Sequence, residues 1–161
     1  MKHKDNAVPV ATIGFTGKPA HVFFELLSTA QVRTVLDVRL HNTSQLAGFA
    51  KKQDLSFFLQ RLNGATYREV PELAPEPELL KRYQSKLMRW EDYATAYFEL
   101  LAKRRVESAL DTDMFHSACL LCSEHLPNHC HRKLALDYLN SHWGNRLKVT
   151  HLLQIAPRAA G

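Results

Sequence analysis

Residues 117–122 read Ser-Ala-Cys-Leu-Leu-Cys, and the chain continues Ser-Glu-His-Leu-Pro-Asn-His-Cys-His-Arg-Lys through residue 133. A near-continuous apolar run of this length fits a strand covered on both faces, which is the signature of a parallel sheet between helical layers. Pro127 then opens a segment predicted to be helical through His142, with Leu134, Ala135, Tyr138 and Leu139 on its inward side. Strand and helix meet at a junction holding Cys122, Glu124, His125, His129, Cys130, His131 and Arg132. Reactive side chains crowded at such a junction mark a candidate site.

The rest of the chain repeats the alternation. Val10–Gly14 reads as a short buried strand, and Pro19 suits the first turn of a helix whose apolar stripe is Phe23, Leu26, Leu27 and Ala30. Arg33–Val38 is a second strand. Leu55, Phe58, Leu59 and Leu62 have helical spacing, and Asn63-Gly64 ends that helix, because glycine tolerates the left-handed conformation. Thr66–Val70 is a third strand. Pro71, Pro75 and Pro77 mark a loop, a helical region broken near Trp90 runs from about Glu78 to Leu110, and Leu147–Leu153 is the last strand. Strands alternating with helices predict one three-layer α/β domain over 1–161, with a mostly parallel sheet of about five strands. Its core spans about 10–153, and the helical insertion spans about 78–110.

Composition narrows the setting. The chain has 161 residues, 45% hydrophobic and 23% charged, which is ordinary for one globular domain. Lys plus Arg number 21 against 16 Asp plus Glu, a formal charge of +5 that favours anionic partners. Three cysteines do not make a disulfide framework. The N-terminus carries no apolar signal core, and no run approaches the ~18 apolar residues of a membrane span. The expectation is a cytoplasmic protein without a membrane partner.

Ligands of open parallel sheets sit beyond the carboxyl ends of the strands. The predicted strands deliver Thr16, then Asp37, Arg39, Asn42 and Ser44, then Glu72, then the Cys122–Arg132 stretch to that edge, with His151 near the end of the last strand. Cys122 is the candidate nucleophile, because Arg132, the histidines and a helix N-terminus each favour a thiolate; the alternative is a small buried core residue. Cys119 reads as core. Cys130 shares a predicted helical face with Leu134 and Tyr138, which favours burial over catalysis, and a Cys122–Cys130 redox pair requires bonding reach.

Glu124 is a candidate general base or an ion-pair partner of Arg132 or His131. His131 is a proton shuttle or a donor to a backbone carbonyl. Asp37 and Arg39, on alternate strand positions, form part of the site or a structural ion pair. Arg39 and Arg132 are the candidate anion binders, with Thr16, Asn42, Ser44 and Glu72 as further substrate contacts. No metal ligands are assigned. The Cys-x7-Cys-His spacing is not that of common structural zinc sites, and adjacent Cys130 and His131 diverge by about 100° on a helix. The residues identify no cofactor and no oligomeric state.

Gly14-Phe15-Thr16-Gly17-Lys18 lacks the full phosphate-loop pattern and reads better as a tight turn. Lys51, Lys52, Lys81, Arg82, Lys86, Arg89 and Lys103-Arg104-Arg105, with Tyr83 and Trp90 nearby, either track a nucleic-acid backbone or form a solvated helical face.

Several of these stretches together resemble a known family. Thr12-Ile13-Gly14-Phe15-Thr16, Asp37-Val38-Arg39, Asn42 through Lys51, Pro71-Glu72-Leu73 and Leu121-Cys122-Ser123-Glu124 through Cys130-His131-Arg132 resemble the bacterial and archaeal domain-of-unknown-function family 488, over about Thr12 to Leu152. Many relatives carry a segment richer in proline and arginine after Asp-Val-Arg, so the Asn-Thr-Ser-Gln version here implies a subfamily. The resemblance implies a compact α/β domain and supplies no reaction.

The functional expectation is therefore an enzyme, a thiol-dependent hydrolase or transferase, acting on an anionic and phosphate-bearing substrate in a Cys/Arg/Asp cleft. The alternatives are a non-catalytic nucleic-acid or nucleotide-binding module and, behind it, a Cys/His metal-binding protein.

Overall fold

The computed structural model describes residues 6–43, 48–124 and 127–154. Five strands, β1 (Val8–Gly14), β2 (Thr34–Asp37), β3 (Thr66–Glu69), β4 (Ala118–Cys122) and β5 (Leu147–Leu152), form one sheet in the order β3-β2-β4-β1-β5. Every described strand pair is parallel. The most apolar strand, β4, is wholly buried, as its sequence predicts, and stands at the centre of the sheet.

The helices are α1 (Ala20–Thr29), α2 (Lys52–Phe58), α3 (Pro77–Gln84), α4 (Trp90–Arg104), α5 (Val106–Ala109) and α6 (His131–His142). Phe23, Phe24 and Leu27 of α1 and Leu55 of α2 pack against Ile13, Val35, Cys119 and Leu121 on one face of the sheet. Tyr93, Tyr97 and Leu101 of α4 and Leu134, Ala135 and Leu139 of α6 pack against Val10, Leu36, Val38 and Leu120 on the other. The molecule is thus a three-layer α/β fold. Each fully buried large apolar side chain contributes roughly 1.5–3 kcal/mol.

Several boundaries differ from the sequence reading. β1 starts at Val8 and includes Pro9, because pairing with β4 begins only at Val10 and the missing proline N–H breaks no ladder there. The helix after α2 widens into a π-turn, Leu59–Asn63, closed by Gly64 at φ 62°. The break before Trp90 falls at 85–89, where Lys86 takes φ 59°.

The consequential correction concerns α6. Pro127 does not begin the helix. Residues 127–130 form a turn in which the Cys130 N–H bonds to the Pro127 carbonyl at 3.2 Å, and Cys130 is extended (φ −133°, ψ 139°) immediately before His131.

The connections leaving β2 and β1 run to helices on one face, and the connection leaving β4 runs to α6 on the other. Crevices at such switch points are where α/β folds bind ligands, and the end of β4 is bordered by one on each side.

Candidate functional site

Cys122 is the last residue of β4. Side chains alternate along a strand. Ala118 and Leu120 face the α4/α6 layer while Cys119 and Leu121 face α1/α2, so Cys122 projects toward α4 and α6. The turn at 127–130 returns the chain, and extended Cys130 places its Sγ 2.8 Å from the Cys122 Sγ. Both are buried free thiols.

His131 opens α6 and completes the group. Its Nε2–H donates to the Val38 carbonyl at 2.7 Å. A carbonyl only accepts, so this bond sets the ring orientation and turns Nδ1 toward the Cys122 sulfur, 3.7 Å away. The Cys122 thiol is held well below its ordinary range, first by the hydrogen bond from Cys130, then by the charge and hydrogen bond of His131, against a burial effect of opposite sign. Burial, and then the hydrogen bond and charge at Cys122, push Cys130 up. Burial lowers His131, but the Cys122 thiolate and the Val38 carbonyl outweigh it and raise the imidazole. The group is therefore asymmetric: its surroundings favour negative charge on Cys122, a retained proton on Cys130 that is donated as a hydrogen bond, and positive charge on His131.

Arg132 sits behind the thiols with 0% exposure. Its Nε donates to Thr12 Oγ1 at 3.2 Å, its Nη1 donates to the Glu124 carbonyl, and Nη1 lies 4.0 Å from the Cys130 sulfur. Thr12 Oγ1 accepts from Arg132 and also hydrogen-bonds His151 Nδ1 at 2.6 Å. Burial, then the charges of Arg132 and Lys133, lower His151 and favour its neutral form. Gly14 permits the arrangement: a Cβ there would stand 1.5 Å from the Glu124 carbonyl oxygen and 2.7 Å from Arg132 Nη1. Lys18 is also buried here, donating to the Gly14 carbonyl at 2.7 Å, and burial and then Arg132 lower its ammonium to about 8.

Above the thiols lies a cleft of about 110 Å³, bordered by Tyr83, Trp90, Tyr93 and His129 on one side and by Arg39 and His41 on the other. Trp90 stacks on Tyr93 with ring centroids 5.4 Å apart and meets His129 at 5.1 Å. The cleft admits a small group rather than a whole macromolecular segment.

The remaining expected residues are dispersed. Asp37 and Arg39 take the structural alternative. Arg39 donates from Nε and Nη2 to the two Asp37 oxygens at 2.9 and 2.8 Å, and both side chains are buried. Tyr67 donates a further hydrogen bond to Asp37; burial, then Asp37 itself, raise the phenol and keep it a donor. Asp37 alternates with Leu36 and Val38, and Arg39 lies over the Phe15 ring at 5.4 Å, so the pair projects toward the α1/α2 side. Asp37 does not line the thiol cleft, and Arg39 borders it with its charge already paired.

Arg132, expected to bind an anion, instead ties interior oxygens together. The Glu124 side chain is exposed at the cleft, and its backbone carbonyl makes the contact to Arg132. Thr16 is exposed and touches the site only through its backbone N–H, bonded to Ser123 O at 3.2 Å. Asn42 hydrogen-bonds Glu69, which pairs with Lys52 at 2.7 Å. Glu72 is exposed, and its carbonyl accepts from Arg104 at 3.0 Å. Ser44 and His125 lie outside the described residues. Cys119 is a core thiol that burial pushes up.

The expected divergence of Cys130 and His131 does not occur, because Cys130 precedes the helix. The ligand atoms of Cys122, Cys130 and His131 all lie within 4.8 Å of one another, a set able to hold a soft cation. Sequence reasoning gave Thr12 and Tyr67 no role in the site, and it set Tyr83 and Trp90 beside a basic helical face rather than at the thiol cleft. Tyr67 reaches Asp37 only because β3 pairs with β2 in the register Val35↔Tyr67, which no local signal announces.

No curated protein and no solved structure matches the chain. The family model described as Domain of unknown function DUF488 matches residues 19–139, from the cap of α1 to the last turn of α6. The match takes in Asp37, Arg39, Cys122, Cys130, His131 and Arg132 while leaving β1 and β5 outside, and by it the chain belongs to the DUF488 family.

Proposed function

We propose that this protein is a thiol-dependent enzyme, a hydrolase or transferase, with Cys122 as its nucleophile and an anionic, phosphate-bearing substrate. One observation carries the reading: Cys122 lies at the floor of a cleft between a donating Cys130 thiol and His131 Nδ1, whose other nitrogen is fixed by Val38. That is the arrangement of an activated nucleophile with an oriented base. Cys122 attacks an electrophilic centre, and His131 returns its proton to the leaving group. A flat part of the substrate lies against Trp90 and Tyr83, and the anionic part meets the +5 protein at the rim bearing His41, His129 and Arg39. Glu124 accepts protons at the mouth, and Asp37 holds Arg39 in place.

Alkylation by iodoacetamide, mapped by peptide mass spectrometry, tests the nucleophile. Labelling of Cys122 should persist at pH values where free cysteine has ceased to react, and iodoacetate should gain on iodoacetamide relative to their rates with free cysteine. A Cys122 profile matching free cysteine would remove the proposal's basis.

Nucleic-acid binding is a second reading, favoured by exposed Lys81, Arg82 and Lys86 flanking the aromatic wall. Affinity for a single-stranded oligonucleotide would then fall steeply with salt, and binding indifferent to salt would count against it.

A further inference from the structure

We infer that Cys122 and Cys130 act as an attacking and a resolving thiol, so that the site reduces a small anionic disulfide with an aromatic or otherwise flat body. The inference rests on the reading of Cys122 as nucleophile and adds a role for Cys130, which that reading uses only as a hydrogen-bond donor.

The geometry is already that of a pair about to bond. The two sulfurs are 2.8 Å apart, closer than non-bonded sulfur atoms normally approach and outside the ~2.05 Å of a covalent S–S bond. A cysteine placed only to fill space does not require contact with the single other thiol in the cleft.

In the first step the Cys122 thiolate attacks one sulfur of the substrate R–S–S–R. A Cys122–S–S–R bond forms, the substrate S–S bond breaks, and the departing RS⁻ takes the proton of His131. Cys122 now carries no charge. The neighbouring negative charge that kept Cys130 protonated is gone, while the influences favouring its thiolate remain: the Arg132 guanidinium with Nη1 4.0 Å away, and a backbone hydrogen bond from Arg132. Neutral His131 lies within 4.8 Å of both sulfurs and accepts the Cys130 proton. In the second step the Cys130 thiolate attacks Cys122 Sγ. The Cys122–Cys130 bond forms, and the second RS⁻ leaves with the proton from His131. Two thiols are oxidised, one disulfide is reduced to two R–SH, and a low-molecular-weight thiol returns the protein to its starting state. Arg132 is a positioning residue in this scheme: buried and joined to Thr12 and Glu124, it acts on Cys130 without touching substrate.

The cleft supports the substrate class. Its volume suits half of a small disulfide, the Trp90–Tyr93 stack offers a flat wall, and the floor exposes sulfur.

The test uses 5,5′-dithiobis(2-nitrobenzoate), an anionic aromatic disulfide, on the reduced full chain. Wild-type protein should release two equivalents of the coloured thiolate, retain no nitrobenzoate mass, and yield a Cys122–Cys130 cross-linked peptide. Cys130→Ser should release one equivalent and retain the adduct on Cys122. Wild-type protein that stops at a stable Cys122 adduct overturns the resolving role while leaving Cys122 a nucleophile. Failure of Cys122 to react at all overturns both. The wild-type peptide map keeps the test decisive if Cys130→Ser fails to fold. A stoichiometric zinc content in chelator-free protein, with the thiols reactive only after metal removal, would assign the three side chains to metal binding and overturn the inference.

Discussion

His131 gives the thiol pair its direction. Two cysteines in contact are chemically equivalent until something distinguishes them, and here Nδ1 faces Cys122 because Nε2–H is engaged by Val38. The resulting thiolate–imidazolium pair exists in a window. Cys122 is lowered, so its contribution to stability is lost as pH falls through its folded value. His131 is raised, so its contribution is lost as pH rises through its own. In His131→Gln the amide can still donate to Val38 but carries no charge. The midpoint of Cys122 alkylation should then rise by about 1–3 pH units, the effect of removing one opposite charge at this distance. An unchanged midpoint would mean that Cys130 alone supports the thiolate. Arg132 has a similar organising role for oxygen atoms. Replacing Thr12 by Val removes the acceptor of Arg132 and the hydrogen-bond partner of His151, which should cost about 1–3 kcal/mol in urea unfolding. His151 should stay lowered by NMR, because burial and the Arg132 and Lys133 charges remain; a return to its ordinary value would mean that the Thr12 hydroxyl holds it down.

Where elements meet, close approach matters more than side-chain chemistry. The segment after β4 passes so near the end of β1 that the Glu124 carbonyl occupies the space a Gly14 side chain would need. The obstacle is backbone, which cannot swing aside as a flexible side chain does. Gly14→Ala should therefore destabilise by at least about 3 kcal/mol, the upper part of the overpacking range. A calorimetric Tm within a degree of wild type would contradict that placement. At the neighbouring edge, β2 and β3 are joined by Asp37, which accepts from Arg39 and Tyr67. Asp37→Ala leaves a buried guanidinium without its carboxylate and should cost about 3–5 kcal/mol. Cys122 alkylation in the surviving folded fraction should change little, since Asp37 lies outside the thiol cleft. A large loss of Cys122 reactivity there would instead place Asp37 in the chemistry.

Across the whole molecule, the parallel sheet with helices on both faces puts the end of β4 between two crevices, and the turn at 127–130 brings the second thiol back to the first. Joining residues this close in sequence restricts the unfolded chain modestly. Oxidised protein should be more stable than reduced protein by about 2–3 kcal/mol, a rise of roughly 5–10 °C in calorimetric Tm. An equal or lower Tm after oxidation would show that closing the bond strains the fold. Much of the architecture was legible because periodicity is a local property: the apolar run at 118–122 and the helical stripes at Phe23–Leu27 and Leu134–Leu139 report their own burial, although Ala30, expected on the first stripe, is exposed past the end of α1. The sequence by itself determined the three layers, the buried strand at 118–122 and the crowding of Cys122, Glu124, Cys130, His131 and Arg132 at its end. Which of these side chains meet was decided only by tertiary structure. A turn in place of one helical turn aims Cys130 at Cys122, the Val38 carbonyl turns His131, and strand alternation keeps Asp37 out of the thiol cleft, where its carboxylate holds Arg39. Each of those outcomes depends on atoms brought together from distant parts of the chain, and no local pattern encodes a contact whose partner lies elsewhere.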